Sequence, residues 1–417
     1  MKILLLIASG NLEPLIISAQ LEQPQKVMIV VTSAMAAKAQ RLAEILQSKL
    51  PHCDLEQMLE MSDSEPADIY ARAEEISDAM LNQFDANNAS FVFNVNGGTK
   101  LMTTIFQEVF LQHLDNCMTK QYVDTAAAKV FRYKAATDLG GYETSSLPSL
   151  LDMETYFKAH DRIIRPTPTQ TEEWSERALG RKEITKLLAR ECASSGGDWV
   201  LGQLNSLIRS QANSVLQPGP NRTEIFHRGL YELAGCPQGI AKKILRELNS
   251  YNLLGWDSEQ PRAVFFHDPE YAVYLAGGWL EEYAWLCAKD AKVDHVCAGV
   301  KVSSIQGRRA DAHNELDCVV IHRNRMLIIE CKTAVYRGNG DKEQDVMHKL
   351  LSLSEQTSGL FGERAILSAR AFGNGDNLER NVARAKSMNI TLVQGNQLTQ
   401  LTSNIKLWMD GEHFPVA

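Results

Sequence analysis

Apolar residues in the first 160 positions gather in short unbroken runs, set between stretches of helical period. KILLLIAS (2–9), KVMIVVTS (26–33), SFVFNVN (90–96) and AAKVFRYKA (127–135) are strand-like, with a weaker run near 54–60. Residues 35–50, 67–84 and 99–114 show helical spacing, and Met102, Ile105, Phe106, Val109 and Phe110 form one stripe on the last. Near-continuous apolar strands separated by helices predict a parallel sheet covered on both faces, a doubly wound Rossmann-like α/β domain. Ligands of such sheets bind beyond the carboxyl ends of the strands.

RPTPTQ (165–170) opposes both helix and strand and marks a linker. A mostly helical stretch follows. Within it GIAKKILRELNSYNLLGW (239–256) runs into RAVFFHD (262–268), which suits either a plain helical connector or a winged-helix-like element. From about 271 the pattern changes to a helix (278–288), strands VDHVCAGVKV, NELDCVVIH and RMLIIECKT, helix 341–358, strand RAILSARA, helix 377–388, strand ITLVQ and a last helix. The expected organisation is two α/β domains, 1–162 and 271–417, around a connector at 163–270.

The most informative stretch is NELDCVVIHRNRMLIIECKTA, where Asp317, Glu330 and Lys332 interrupt buried-strand runs. Glu330 and Lys332 are two apart and share a strand face. With Arg323 and Asn324 as a two-residue hairpin loop, Asp317 faces Glu330 and Glu315 faces Lys332. Two opposed carboxylates repel at a cost of roughly 0.2–1 kcal/mol. A divalent cation between them removes that cost, and oxygen-only ligation suits Mg²⁺ or Mn²⁺ rather than zinc. Lys332 on the same face can orient a water or stabilise developing phosphorane charge. The upstream helix GGWLEEYAWLCA offers Glu281 or Glu282 as one more acid.

A second candidate follows strand 90–96, where GGTK opens a helix. Gly97 and Gly98 permit a tight turn and close backbone approach, and the helix N-terminus offers free N–H groups to an anion. Thr99 adds a hydroxyl and Lys100 a charge, although neither the Walker nor the dinucleotide glycine pattern is present. Two more loops, Ser9-Gly10-Asn11 and Thr32-Ser33, end the first two strands.

Composition narrows the function. With 43 basic and 51 acidic residues the net charge is −8, which disfavours indiscriminate nucleic-acid binding but leaves room for a nuclease with a local basic patch. Arg308, Arg309, Arg323, Arg325 and Arg337 are the candidate backbone contacts. Eight scattered cysteines with no C-x-x-C argue for reduced thiols and against structural zinc. No apolar run approaches the roughly 18–20 residues of a membrane span, so a cytoplasmic location without membrane contact is expected.

Helix-borne Glu, then Asp on one strand and E-C-K on the next, resembles the PD-(D/E)xK nuclease superfamily. That resemblance implies Asp317 and Glu330 as metal ligands, Lys332 as catalytic lysine and Glu281 as the helix acid, with Glu282 in reserve; Leu316 stands where the motif has proline. N-x-N-G-G-T-K-x-M, carried by Asn96, Gly97, Gly98, Thr99 and Lys100, resembles the CARF domain. Together they resemble the CRISPR ancillary nucleases: an N-terminal CARF sensor and a C-terminal nuclease of restriction-endonuclease-like fold. The resemblance implies a homodimer that binds a cyclic oligoadenylate, often the tetra-adenylate, on Ser9, Gly10, Asn11, Thr32, Ser33 and residues 96–100. It further implies Mn²⁺- or Mg²⁺-dependent cleavage of single-stranded RNA or DNA, or nicking of duplex DNA. The rival readings are a ligand-sensing transcription regulator with inert carboxylates and a constitutive DNA-processing endonuclease.

Overall fold

A computed structural model of the chain describes residues 1–84, 89–114, 117–134, 142–209, 213–219, 224–305, 314–333, 341–357, 362–373 and 375–414. Its first part alternates β1 (Lys2–Ile7), α1 (Glu13–Glu22), β2 (Lys26–Thr32), α2 (Ala36–Lys49), β3 (Asp54–Met61), α3 (Pro66–Gln83), β4 (Ser90–Asn94) and α4 (Lys100–Leu114). With β5 (Met118–Asp124), β6 (Lys129–Tyr133) and β7 (Glu143–Ser146) these make a seven-stranded sheet, ordered β3-β2-β1-β4-β5-β6-β7. The first five strands are parallel, as the doubly wound pattern requires. The edge formed by β6 and β7 is antiparallel, so the sheet is mixed rather than wholly parallel. Only a short turn joins β5 to β6, and a parallel return would need a crossover of a dozen residues or more. Strand order reverses between β1 and β4, which places a crevice at their carboxyl ends.

α5 (Met153–Ala159) then leads into β8 (Arg162–Arg165), which leaves the first sheet and joins a second. The following stretch holds α6 (Glu172–Gly180), α7 (Lys182–Glu191), α8 (Ser195–Arg209), the hairpin β9 (Leu216–Pro218) and β10 (Glu224–Phe226), β11 (Leu230–Glu232), α9 (Gly239–Ser250), β12 (Gly255–Trp256) and β13 (Ala263–Phe265). It is therefore less helical than its sequence suggested. α9 buries Ala241, Ile244, Leu245 and Leu248 and feeds a sheet of order β11-β13-β12, an arrangement that resembles a winged helix.

The last part contains α10 (Pro269–Val273), a π-turn (Tyr274–Gly278), α11 (Trp279–Ala291), β14 (His295–Ser304), β15 (Asn314–His322), β16 (Arg325–Lys332), α12 (Asp341–Thr357), β17 (Gly362–Ser368), α13 (Asp376–Ser387), β18 (Ile390–Gln394) and α14 (Leu401–Met409). Its six-stranded sheet is ordered β18-β17-β16-β15-β14-β8. One apolar core joins α7, α8, α9, α11 and α14 to the sheet face carrying Cys318 and Ile329. A second runs from Leu4 and Ile29 in the first sheet through Tyr156 and Phe157 to Val319, Ile328 and Leu350. The two α/β parts thus share a continuous interior. All eight cysteines are free thiols, and among the described residues no helix is long and apolar enough to cross a membrane.

Candidate metal centre and ligand loops

The β15–β16 hairpin has the register that its charges imply. Arg323 and Asn324 both adopt positive φ, at 47° and 64°, so the loop is a two-residue turn of the primed kind. The unusual Arg-Asn pair is held from outside: Asn324 Oδ1 accepts from the N–H of Leu150 and Leu151 at 2.8 and 2.9 Å, and its Nδ2 donates to Pro148 at 2.7 Å. His322 therefore lies opposite Arg325, and the ladder runs regularly to Cys318 opposite Ile329. Just beyond, Asp317 Oδ2 accepts from the N–H of Cys331 at 2.7 Å.

That geometry brings the charged groups to one point. Lys332 Nζ stands 2.5 Å from Glu330 Oε1 and 3.6 Å from Asp317 Oδ2. Lys349 Nζ, from α12, approaches Glu330 at 3.9 Å. Glu281 enters from the first turn of α11, where Gly277 (φ 142°) lets the preceding turn pass close to Thr333, next to Lys332. Burial first, then Asp317, Glu315 and Glu330, push the Glu281 carboxyl up to about 8 against the pull of Lys332. Burial and Glu330 raise Asp317 to about 6. Glu315 is exposed, opposite Lys301 of β14, and reaches the cluster only through its charge.

Glu282 takes no part. It points the other way, 1% exposed, and accepts from Arg181 Nε at 2.9 Å, Arg181 Nη2 at 2.7 Å and Thr185 Oγ1 at 2.9 Å. Lys349 was missed by sequence reasoning, since an α12 lysine looks like any solvated helix charge until tertiary packing aims it. Arg308, Arg309 and Arg337 lie outside the described residues, and Arg325 is engaged with Glu363 at 3.0 Å. Arg323 contributes its backbone N–H to Asp294 at 2.8 Å.

Glu281, Asp317 and Glu330 form an oxygen-only set beside the Lys332 and Lys349 ammonium groups. Such a set fits a hard divalent cation. Among the described residues no ready-made cage of three or more His, Cys, Asp or Glu ligands exists, and the Lys332 ammonium contacts both Glu330 and Asp317. A cation bound there would draw on Glu281, Asp317 and Glu330 and compete with the Lys332 ammonium for their oxygens.

The three loops of the first part converge at the switch point. Gly97 and Gly98 lie against β1: a Cβ on Gly97 would meet the Ile7 carbonyl at 1.9 Å, and Gly98 adopts φ +74°. Thr99 Oγ1 caps α4 by accepting from the Met102 N–H at 3.2 Å, while Thr99 and Lys100 are exposed. Ser9 donates to the Asn11 carbonyl at 2.9 Å, and Gly10 faces open space. Asn96 is committed to the scaffold, donating to the Val123 carbonyl at 2.9 Å and accepting from its N–H at 2.8 Å. Thr32 is buried and Ser33 exposed.

Residues 268–411 match the family model described as the Card1-like endonuclease domain. Protein VC1899 from Vibrio cholerae has the same overall fold, with TM-score 0.77, 17% identity and 98% of each chain covered. Can2 from Sulfobacillus thermosulfidooxidans, solved in complex with cyclic tetra-adenylate, gives TM-score 0.70 at 20% identity over 98% of this chain and 97% of that one. A type III CRISPR defence DNA nuclease activated by cyclic oligoadenylate gives 0.53 at 12% identity, over 88% of this chain and 45% of its own. No curated protein matches the sequence. The chain therefore resembles the CRISPR ancillary nucleases in architecture, a CARF-like front followed by a Card1-like endonuclease domain.

Proposed function

We propose that this chain is a homodimeric, divalent-metal-dependent nuclease switched on by a cyclic oligoadenylate. Residues 1–162 act as sensor, 163–270 as connector and 271–417 as nuclease. The observation that carries the reading is the convergence of Glu281, Asp317, Glu330 and Lys332 on one half-buried point, inside the stretch that matches an endonuclease family.

Glu281, Asp317 and Glu330 would hold Mn²⁺ or Mg²⁺. Such an ion would supply a water of lowered pKa and polarise the phosphoryl oxygen. Hydrolysis adds that water across a P–O bond, so one proton must leave the nucleophile and one must reach the departing oxygen. Lys332 stands where an ammonium steadies the charge gathering on phosphorus. Because Glu281 holds a proton to about pH 8 without the ion, loading the site expels protons. On the sensor side, Gly97–Lys100, Ser9–Asn11 and Thr32–Ser33 line the crevice at the sheet's switch point, with exposed Lys100 for a phosphate. A symmetric ring is read by presenting the same loops twice, hence the dimer. Can2, which shares the fold, was solved with cyclic tetra-adenylate, and this favours that ring here.

Two variants test the division of labour. Lys332→Ala is expected to lower cleavage roughly 100- to 1,000-fold and leave messenger affinity unchanged in equilibrium binding. The double variant Thr99→Ala, Lys100→Ala is expected to weaken messenger binding while Mn²⁺ still binds. Full cleavage by Lys332→Ala would remove the lysine from the chemistry.

A further inference from the structure

At the carboxyl ends of β17 and β18 lies a cavity of about 600 Å³, open to solvent and walled on one side by the start of α8. It sits beside the carboxylate cluster. Lys332 pairs with Ser368 and Ser368 with Gln394, so the cavity begins two ladder steps, about 10 Å, from the lysine. Volumes of this order fit small ligands.

The lining is built. Glu343, on α12, is 3% exposed, lines the cavity and has no hydrogen-bond or ion-pair partner among the described residues. Its side chain forms part of the cavity wall. Burying a carboxylate without a partner is costly, so a donor entering the cavity would be favoured there. Two amides face the same space with their oxygens already used. Gln394 Oε1 accepts from the Phe372 N–H at 2.7 Å, and Gln397 Oε1 accepts from the Gln394 N–H at 3.0 Å. Each therefore has its NH₂ left to offer. Arg370 is clamped to Asp198 of α8, donating Nη2 to the Asp198 carbonyl at 2.7 Å, and Gly202 leaves room for it. Gly373 (φ +120°) and Gly395 (φ +55°) also line it, each in a backbone conformation that favours glycine.

Acceptors beside spare amide donors match the edge of a base that carries both amino or imino hydrogens and a carbonyl. Guanine presents two adjacent donors, N1–H and N2–H, to a carboxylate and O6 to an amide. Uracil and thymine instead flank one donor with two carbonyls that a carboxylate repels. We propose that this cavity takes an unpaired nucleobase of the strand being cut, guanine in preference, next to the scissile phosphate. This rests on the nuclease reading and deepens it: a base inside the cavity must be unstacked and unpaired, so single strands are selected over duplex.

The test uses activated full-length protein with Mn²⁺ on a uridine tract and a thymidine tract, each carrying one G, alongside titration of the same protein with GMP and UMP. Cleavage next to G should exceed cleavage within the tract about tenfold, and GMP should bind about tenfold tighter than UMP, as one bidentate base contact implies. The RNA and DNA arms show which sugar the site accepts. In Glu343→Gln both preferences should fall to near one. Equal affinity for GMP and UMP, or preferences unchanged in Glu343→Gln, overturns the proposal. Selective GMP binding without cleavage of either tract upholds the cavity and overturns the nuclease reading; cleavage with no G preference does the reverse.

Discussion

Two adjacent glutamates show how much one residue's direction decides. Glu281 faces the carboxylate cluster, with its pKa pushed up to about 8, whereas Glu282 is locked to Arg181. A carboxyl whose folded pKa lies above its ordinary 4.5 contributes stability below that value and loses it as pH rises through the folded one. Metal-free protein should therefore lose stability between about pH 5 and pH 8. Glu281→Gln should flatten that slope, gaining on the order of 2 kcal/mol relative to the unsubstituted protein at the upper end. Urea unfolding in EDTA across that range checks it, and a slope identical in both proteins would refute the assignment. Glu282→Ala should instead cost about 3 kcal/mol by leaving the buried Arg181 with only the 3.5 Å approach of Glu270, visible as a lower urea midpoint. The cluster was legible because Asp317, Glu330 and Lys332 break apolar runs at strand spacing. Lys349 and Glu343 were not, since nothing local separates them from ordinary helix charges.

At the scale of elements, the connection between sensor and nuclease is short and bonded. The loops after β1 and β2 run directly into α1 and α2. Glu13 of α1 meets His160 Nε2 at 2.6 Å, and Lys38 and Arg41 of α2 hold Asp161 at 2.8 and 3.3 Å. The next residues form β8, which pairs with β14 from Lys301 to Ser304. This chain of contacts links the loops after β1 and β2 to an edge of the second sheet. Asp161→Ala should keep messenger affinity within about twofold and reduce stimulation of cleavage roughly tenfold, within the usual range of coupling energies. Binding and cleavage measured on the same preparation decide it, and undiminished stimulation would break the link. Sequence patterning missed α1, α5, β5 and β8 on this path or beside it. α1 is buried almost all round and so shows no polar face. β5 carries Lys120 and Gln121 inside the sheet, where Gln121 donates to Glu22 at 2.7 Å. Alternation is a poor guide where buried polar residues are satisfied by distant partners.

For the whole molecule, an overall charge of −8 suits a nuclease that does not hold nucleic acid when idle. One apolar interior runs from the first sheet to the second. Moving a 1:99 equilibrium to 99:1 takes about 5.5 kcal/mol of preference for the active form, which a ring contacting two sets of loops can supply. The direct test is cleavage of end-labelled single- and double-stranded RNA and DNA with and without cyclic tetra-adenylate, each in Mn²⁺ and in EDTA. Cleavage is expected only where messenger and Mn²⁺ are both present. Equal cleavage without messenger, or messenger-dependent duplex binding with no cleavage in Mn²⁺, would contradict it.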